Sequence, residues 1–313
     1  MKFLWIVIYN VYLYISHIIN IFTINNMTKT KPLIGILPVP YIKNDESNKM
    51  FLNENLITFL KINSLDYIII PYTIKTVELN NILPNLDGLL FPGSQLGNYF
   101  NNKFIKQHFL MQKYIVKKVK LLAQYNNIIP IVSICHGHQS MVLIENNYKL
   151  TNKNIKKTLL NVHSYPDYKT IPKFKQTKLG NLFKNNFNKT KKLVHNNALA
   201  LDPKKGIKNY EIIATNLDKN NKEFIDIIKH KRYPFFGFQG HPEIENTKLF
   251  IPFLNCVYEN FNKKQDNLQV DKKNDKKNDK KFMFKKLKSR KVSCKKYNLS
   301  QTTKHGKCIF YKT

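Results

Sequence analysis

Two hydrophobic signatures alternate along the chain. Short, almost uninterrupted apolar runs at residues 33–37, 67–71, 88–91 and 131–134 have the length and composition of buried strands. Longer stretches at 52–62 and 104–124 between them read as helices. Strands alternating with helices predict an α/β fold, a doubly wound and mainly parallel sheet. From about residue 158 to 238 the pattern changes to strands and loops, which adds antiparallel strands to that sheet. A closing helix is expected over 248–261. Open α/β sheets place ligands at the carboxyl ends of their parallel strands, so the chemistry is sought there.

One such strand end carries a distinctive group. Pro130 precedes the run Ile131–Ile134, and Cys135-His136-Gly137-His138-Gln139 follows it directly, leading into a helix-compatible stretch to Glu145. Strand, Cys-x-Gly, helix is the local pattern of a nucleophile elbow. The tight turn lifts the thiol above the sheet edge, and Gly137 lets the backbone pass close beneath. Amides at the helix N-terminus favour the thiolate, and the N–H of His136 is placed to bind an oxyanion. Taken alone, the segment is also compatible with a buried, inert cysteine at a strand end. His136 and His138 suggest a metal, but no second Cys/His cluster lies near them in the sequence, so no metal site is expected.

A second group lies far downstream. The aromatic-rich run 233–238 reads as a strand and is followed by Gln239-Gly240-His241-Pro242-Glu243. On an extended backbone, His241 and Glu243 face the same way. A carboxylate there orients the imidazole, selects its tautomer and stabilises the imidazolium. By itself this is equally a His–Glu pair on a surface loop. With Cys135 it completes a nucleophile, a base and a carboxylate.

Cys-x-Gly-x-Gln followed downstream by Gln-x-His-Pro-Glu resembles the class I glutamine amidotransferase superfamily, and within it the γ-glutamyl hydrolases most. Further segments share the likeness. Pro32–Leu37 resembles the family's first strand, and Leu86–Ser94 its oxyanion loop. Val194-His195-Asn196-Asn197-Ala198-Leu199 sits where the family has a histidine that contributes to the site. Tyr210–Asp218 and Glu223–Ile228 resemble the paired strands that lead to His-Pro-Glu. The resemblance covers roughly residues 31–262 and implies a flavodoxin-like sheet. By position it implies Cys135 as nucleophile, His241 as general acid/base and Glu243 as its orienting carboxylate. It places backbone amides of Gly93 or Ser94, with His136, in the oxyanion hole. His195 and Gln139 become candidate substrate-binding residues. No cofactor is implied.

Two positions depart from the family pattern. The oxyanion loop usually reads Pro-Gly-Gly, whereas this chain has Pro92-Gly93-Ser94. A serine forced to positive φ would carry strain of about 1–3 kcal/mol. The family usually has a bulky residue before the catalytic histidine, where this chain has Gly240. That is expected to loosen the wall beside His241 or widen the pocket.

Composition divides the chain into three parts: a hydrophobic segment at 1–26, the amidotransferase-like domain at 27–262 and a basic tail at 263–313. The chain has 52 Lys and Arg against 20 Asp and Glu, a formal net charge of +32. The tail holds 18 basic and 4 acidic residues, including an Asp-Lys-Lys-Asn repeat from Asp271, and a further basic cluster runs over 285–296. Such a composition is expected to remain disordered, either as a solvated appendage or as a tether to an anionic polymer or membrane surface. Positive charge on the domain would attract an anionic substrate. Four cysteines in a chain of this length do not form a disulfide scaffold. The segment 1–26 fits a signal peptide, a signal anchor or a non-native extension with Met27 as the start. Localisation therefore stays open between a secretory, lysosome-like or anchored protein and a cytoplasmic one.

Three functions are compatible with these features. The first is a cysteine hydrolase of γ-glutamyl amide bonds that acts through a thioester on a small anionic γ-glutamyl substrate. The second is a glutaminase unit acting on glutamine, which calls for a separate synthase partner. The third is a catalytically degenerate binding module that works through its tail. A homodimer is left open in each case.

Overall fold

The computed structural model describes residues 29–41, 49–93, 102–148, 151, 155–188, 190–205, 207–278, 300–303 and 306–312. In chain order the strands are β1 (Leu33–Ile36), β2 (Val39–Tyr41), β3 (Lys49–Asn53), β4 (Asp66–Ile69), β5 (Gly88–Phe91), β6 (Ile131–Ile134), β7 (Leu159–Thr170), β8 (Lys173–Phe174), β9 (Leu193–Leu201), β10 (Tyr210–Leu217), β11 (Glu223–His230), β12 (Phe235–Phe238), β13 (Ser300–Thr303) and β14 (Gly306–Lys312). The helices are α1 (Glu54–Ile62), α2 (Thr76–Ile82), α3 (Lys103–Gln124), α4 (His136–Glu145), α5 (Lys178–Asn186), α6 (Pro242–Glu245) and α7 (Ile251–Asn278).

The main sheet has ten strands and runs β4-β1-β5-β6-β12-β11-β10-β8, with β9 joining at β11 and β7 pairing with β9. From β4 to β12 every pairing is parallel. Beyond β12 every pairing is antiparallel. Strands β1, β5, β6 and β12 are buried at every position because helices cover both faces. Alternate side chains serve the two layers. Ile34, Ile36, Leu90, Val132, Ile134, Phe236 and Phe238 pack with Leu56 and Phe59 of α1, Phe183 of α5 and Phe253 of α7. Leu33, Leu89, Phe91, Ile131 and Phe235 pack with Leu79 of α2, Phe109 and Val116 of α3 and Met141 of α4. This is the doubly wound, mainly parallel arrangement that the alternation predicts.

The asparagine-rich sequence supplies helix caps as well as loops. The side chains of Asn53 and Asn102 accept the amides of Asn55 and Phe104 at the starts of α1 and α3. Thr177 does the same for Gly180. Helix α5 lies in the stretch expected to hold only strands and loops, where its Lys and Asn content hides the buried Phe183.

The closing segment also differs from expectation. It begins as a 3₁₀ turn at Thr247–Phe250 and continues as α7 to Asn278, well past residue 261. The start of the basic tail is therefore helical rather than disordered. Strands β13 and β14 form a second, four-stranded antiparallel sheet in the order β13-β14-β3-β2, so they too depart from the disorder that composition suggests. The basic cluster at 285–296, the apolar segment 1–26 and Ser94 lie outside the described residues. Among the described residues no helix is long and apolar enough to cross a membrane.

A buried ion cluster explains how α7 extends. Asp87, just before β5, is fully buried. It accepts the Leu33 amide at 2.9 Å and faces Lys29 Nζ at 3.5 Å and Lys264 Nζ at 3.3 Å. Lys264 also donates to the carbonyl oxygens of Leu86 at 2.5 Å and Pro84 at 3.1 Å. Burial pushes the Lys264 ammonium down to about 8, Asp87 opposes that shift, and Lys29 adds to it. One carboxylate thus ties residues 29 and 264 to the start of β5. Asp87→Ala leaves two ammonium groups there without a counter-charge and is expected to lower the unfolding free energy by about 3 kcal/mol. The measurement is the urea midpoint, which should fall with the slope unchanged.

Candidate active site

Cys135 is the single residue between β6 and α4, as expected of an elbow. Its backbone lies at φ 49° and ψ −106°. For a residue with a side chain this costs about 1–3 kcal/mol and persists only where neighbours enforce it. Here they do. The Cys135 amide donates to Phe238 O at 2.7 Å, and its carbonyl accepts the Gln139 amide at 3.0 Å. The first turn of α4 is braced from α3: Gln112 Nε2 donates to Gly137 O at 3.3 Å, and Ser140 donates to Gln112 Oε1 at 2.7 Å. Cys135 is 3 % exposed. His136 heads α4, which sets a helix N-terminal amide next to the sulfur.

The downstream segment arrives beside this elbow through sheet register. Phe238, the last residue of β12, is paired with Ile134, the last of β6. Three consecutive amides then fix the turn that follows. Gln239 N–H donates to Asp226 O at 2.7 Å, Gly240 N–H to Asp226 Oδ1 at 3.2 Å and His241 N–H to Val194 O at 2.8 Å. Pro242 opens the one-turn helix α6 and leaves no amide unsatisfied there. His241 and Glu243 therefore meet across a helical turn and not along an extended strand. Their contact, His241 Nδ1 to Glu243 Oε1, is 2.8 Å.

With Nδ1–H donating to the carboxylate, Nε2 is the nitrogen left for Cys135, whose thiol is within hydrogen-bonding reach of the ring. Burial works against the imidazolium. The Glu243 charge and the hydrogen bonds with Cys135 and Glu243 outweigh it and raise His241 well above its ordinary value. Gly93 closes the third side. A Cβ on it would stand 2.9 Å from His241 Cε1 and 3.0 Å from Cys135 Cβ, so only glycine lets this loop press against both residues.

Gly240 does not loosen the wall as expected. Leu193 Cγ and His195 Cε1 stand 2.6 Å and 2.9 Å from where its Cβ would be and fill the space. His195 is fully buried behind the His241 turn, where burial lowers its pKa, Asp226 opposes the shift and His241 adds to it. Gln139 is buried too. Its side-chain amide donates to Leu199 O at 2.6 Å and to Gln239 Oε1 at 3.1 Å, so that side chain approaches the sulfur only by way of Gln239. Gln239 Nε2 lies 3.8 Å from the sulfur.

Asp226 is a site neighbour that pattern reading does not single out, and Gln239 enters there only as the first residue of the Gln-x-His-Pro-Glu motif. A signal for Asp226 exists: it is an acid at a buried position of Phe224-Ile225-Asp226-Ile227-Ile228, and buried charges are rare unless paired. Three more histidines are buried around the elbow. Burial lowers His136 to about 4 and His138 to about 3, and burial with the neighbouring His136 lowers His108 to about 3. Among the described residues no three His, Cys, Asp or Glu side chains are grouped to hold a metal ion.

The chain matches the family model of glutamine amidotransferase class-I over residues 48–253. It is 25 % identical over 251 residues to γ-glutamyl hydrolase B of Dictyostelium discoideum, covering 75 % of this chain and 69 % of that protein. A stretch of 34 residues is 50 % identical to γ-glutamyl hydrolase 1 of Arabidopsis thaliana, covering 11 % of this chain and 10 % of that protein. In fold it is similar to a candidate GMP synthase subunit from Thermoplasma acidophilum, with 15 % identity and a TM-score of 0.50 over 74 % of this chain and 96 % of that one.

The pKa pattern makes Glu243 testable without a substrate. Because His241 is raised, its imidazolium persists to higher pH than an ordinary histidine and supports the thiolate beside it. Glu243→Gln removes the main raising charge, burial then dominates, and the imidazolium is lost at lower pH. Iodoacetamide alkylation of Cys135 near neutral pH is expected to slow at least about tenfold in the variant.

Proposed function

The chain belongs to the class I glutamine amidotransferase family, and from that premise we propose that it is a cysteine-dependent hydrolase of γ-glutamyl amide bonds. The observation that carries the proposal is the set Cys135, His241 and Glu243 on adjoining strand ends, with the 2.8 Å His241–Glu243 contact and the thiol within reach of the ring. The similarity to γ-glutamyl hydrolase B over 75 % of the chain supports the hydrolase branch.

The chemistry proceeds in two balanced halves. The Cys135 sulfur attacks the γ-carbonyl carbon, and the carbonyl oxygen takes up negative charge. Backbone amides of His136 and of the Gly93–Ser94 loop stabilise that oxyanion. The C–N bond breaks as His241 gives its proton to the leaving amine, which leaves a γ-glutamyl thioester. A water then loses a proton to His241 and attacks the thioester carbon. The C–S bond breaks, the γ-glutamyl group leaves as a free acid, and the thiolate–imidazolium pair returns. Glu243 holds the ring in one tautomer throughout. No cofactor takes part. The excess of basic residues in the chain would draw an anionic γ-glutamyl substrate toward the site.

The test is glutamate release by the full chain, with γ-glutamyl oligomers and free glutamine offered in parallel. Oligomer cleavage that falls at least about 1,000-fold in Cys135→Ser is the expected result. Turnover of glutamine alone would assign the same thiol to a glutaminase that supplies a separate synthase. Failure on both substrates would remove the hydrolase proposal.

A further inference from the structure

We infer that Asp226 is the positioning residue of the His241 base: its carboxylate takes over where strand pairing ends and fixes the turn that carries the imidazole. This deepens the proposed thiol hydrolase and rests on it. Asp226 is fully buried in the middle of β11, between the fully buried pairs Phe224, Ile225 and Ile227, Ile228. An apolar side chain would serve the sheet there at least as well, so a carboxylate needs a local reason.

The hydrogen bonds supply one. The β11–β12 ladder ends at the Ile227–Phe238 pair. In an extended strand neighbouring amides point to opposite sides. Yet the next two amides, those of Gln239 and Gly240, both reach Asp226: the first its main-chain oxygen at 2.7 Å, the second its side-chain Oδ1 at 3.2 Å. The chain therefore turns at Gly240, and the carboxylate captures the amide that the ladder cannot. The other oxygen, Oδ2, accepts from Asn216 Nδ2 of β10 at 2.8 Å and faces His195 Nε2 of β9 at 3.5 Å. Strand β9 also provides the Val194 carbonyl that accepts the amide of His241. One carboxylate thus holds the turn before the base and the strand that holds the base itself. Gly240 takes part by having no side chain, which lets His195 and Leu193 close over the turn.

The groups facing the His241 ring are Glu243, Cys135 and, from β9, His195, so Asp226 acts through backbone placement and through His195 and does not touch the ring's proton partners. Its removal should misplace the base without altering substrate binding. The experiment compares Asp226→Asn and Asp226→Ala with the parent chain in three readouts: thermal unfolding, kcat and KM on a γ-glutamyl dipeptide, and the rate of Cys135 alkylation by iodoacetamide. Asparagine keeps one acceptor oxygen for Gly240 N–H and should lose about tenfold in kcat, whereas alanine keeps none and should lose about 100-fold, the scale expected of a base misplaced by about 1 Å. KM should stay within about twofold, as for an interaction made only in the transition state, and alkylation should slow in the same order. Folded variants with parental kcat and alkylation rates would overturn the inference, as would losses confined to KM. If only alanine fails to fold, asparagine decides by the same criteria. If neither folds, Asp226 is a core residue and the inference is overturned. A parent that does not hydrolyse the dipeptide sinks the proposed activity, while alkylation still decides the role of Asp226.

Discussion

The parallel pairing of β6 with β12 is the constraint on which the site depends. The two strands come from distant parts of the chain and end level with one another, Ile134 beside Phe238. That register lets the Cys135 amide donate to Phe238 O and brings the His241 turn to the sulfur. A slip of one residue would reverse every side chain of β12 between the two helical layers. Phe236 and Phe238 are committed to one layer and Phe235 to the other, so the core that pins the register also aligns the chemistry. The strained backbone of Cys135 persists for the same reason: residues on both sides of it are locked into buried elements.

The segments carrying Cys135, His241 and Glu243 were legible in the sequence because each follows a strand and is punctuated by Gly or Pro, Gly137 in the first and Gly240 and Pro242 in the second. The parallel half of the sheet was legible because strands buried on both faces read as continuous apolar runs. What could not be read depends on register between distant strands. Asp226 matters because it comes level with Gln239 across an antiparallel pair, and its neighbours in sequence do not announce that. The direction of Glu243 was read from an extended backbone, whereas Pro242 starts a helix and brings it to His241 across a turn. Gly240 looked like a gap because the residues that fill it, Leu193 and His195, belong to another strand. Composition misled at 178–186 and beyond 263, where lysine and asparagine suggested loops or disorder. A single buried phenylalanine in the first and the Lys264–Asp87 contact in the second mark the ordered helices.

The site is fastened from both sides of the sheet. From one layer, Gln112 of α3 and Ser140 of α4 brace the elbow. From the antiparallel extension, β9, β10 and β11 brace the turn that carries His241. The antiparallel strands therefore do more than widen the sheet. They turn an open parallel edge into a frame that closes around His241, with Gly93 as the third wall. Support from these elements fixes the orientation of the imidazole.

The neutral histidines packed around the elbow carry a further consequence, for the medium in which the protein can stay folded. His108, His136 and His138 resist protonation when folded but accept a proton readily once the chain opens, so unfolding takes up protons. By linkage, stability is then lost as the pH drops from an ordinary histidine value of about 6.5 toward the folded values of about 3 to 4. Acid would thus weaken the fold as a whole. An acidic organelle and this interior pull in opposite directions, and residence in one would demand compensation elsewhere in the molecule.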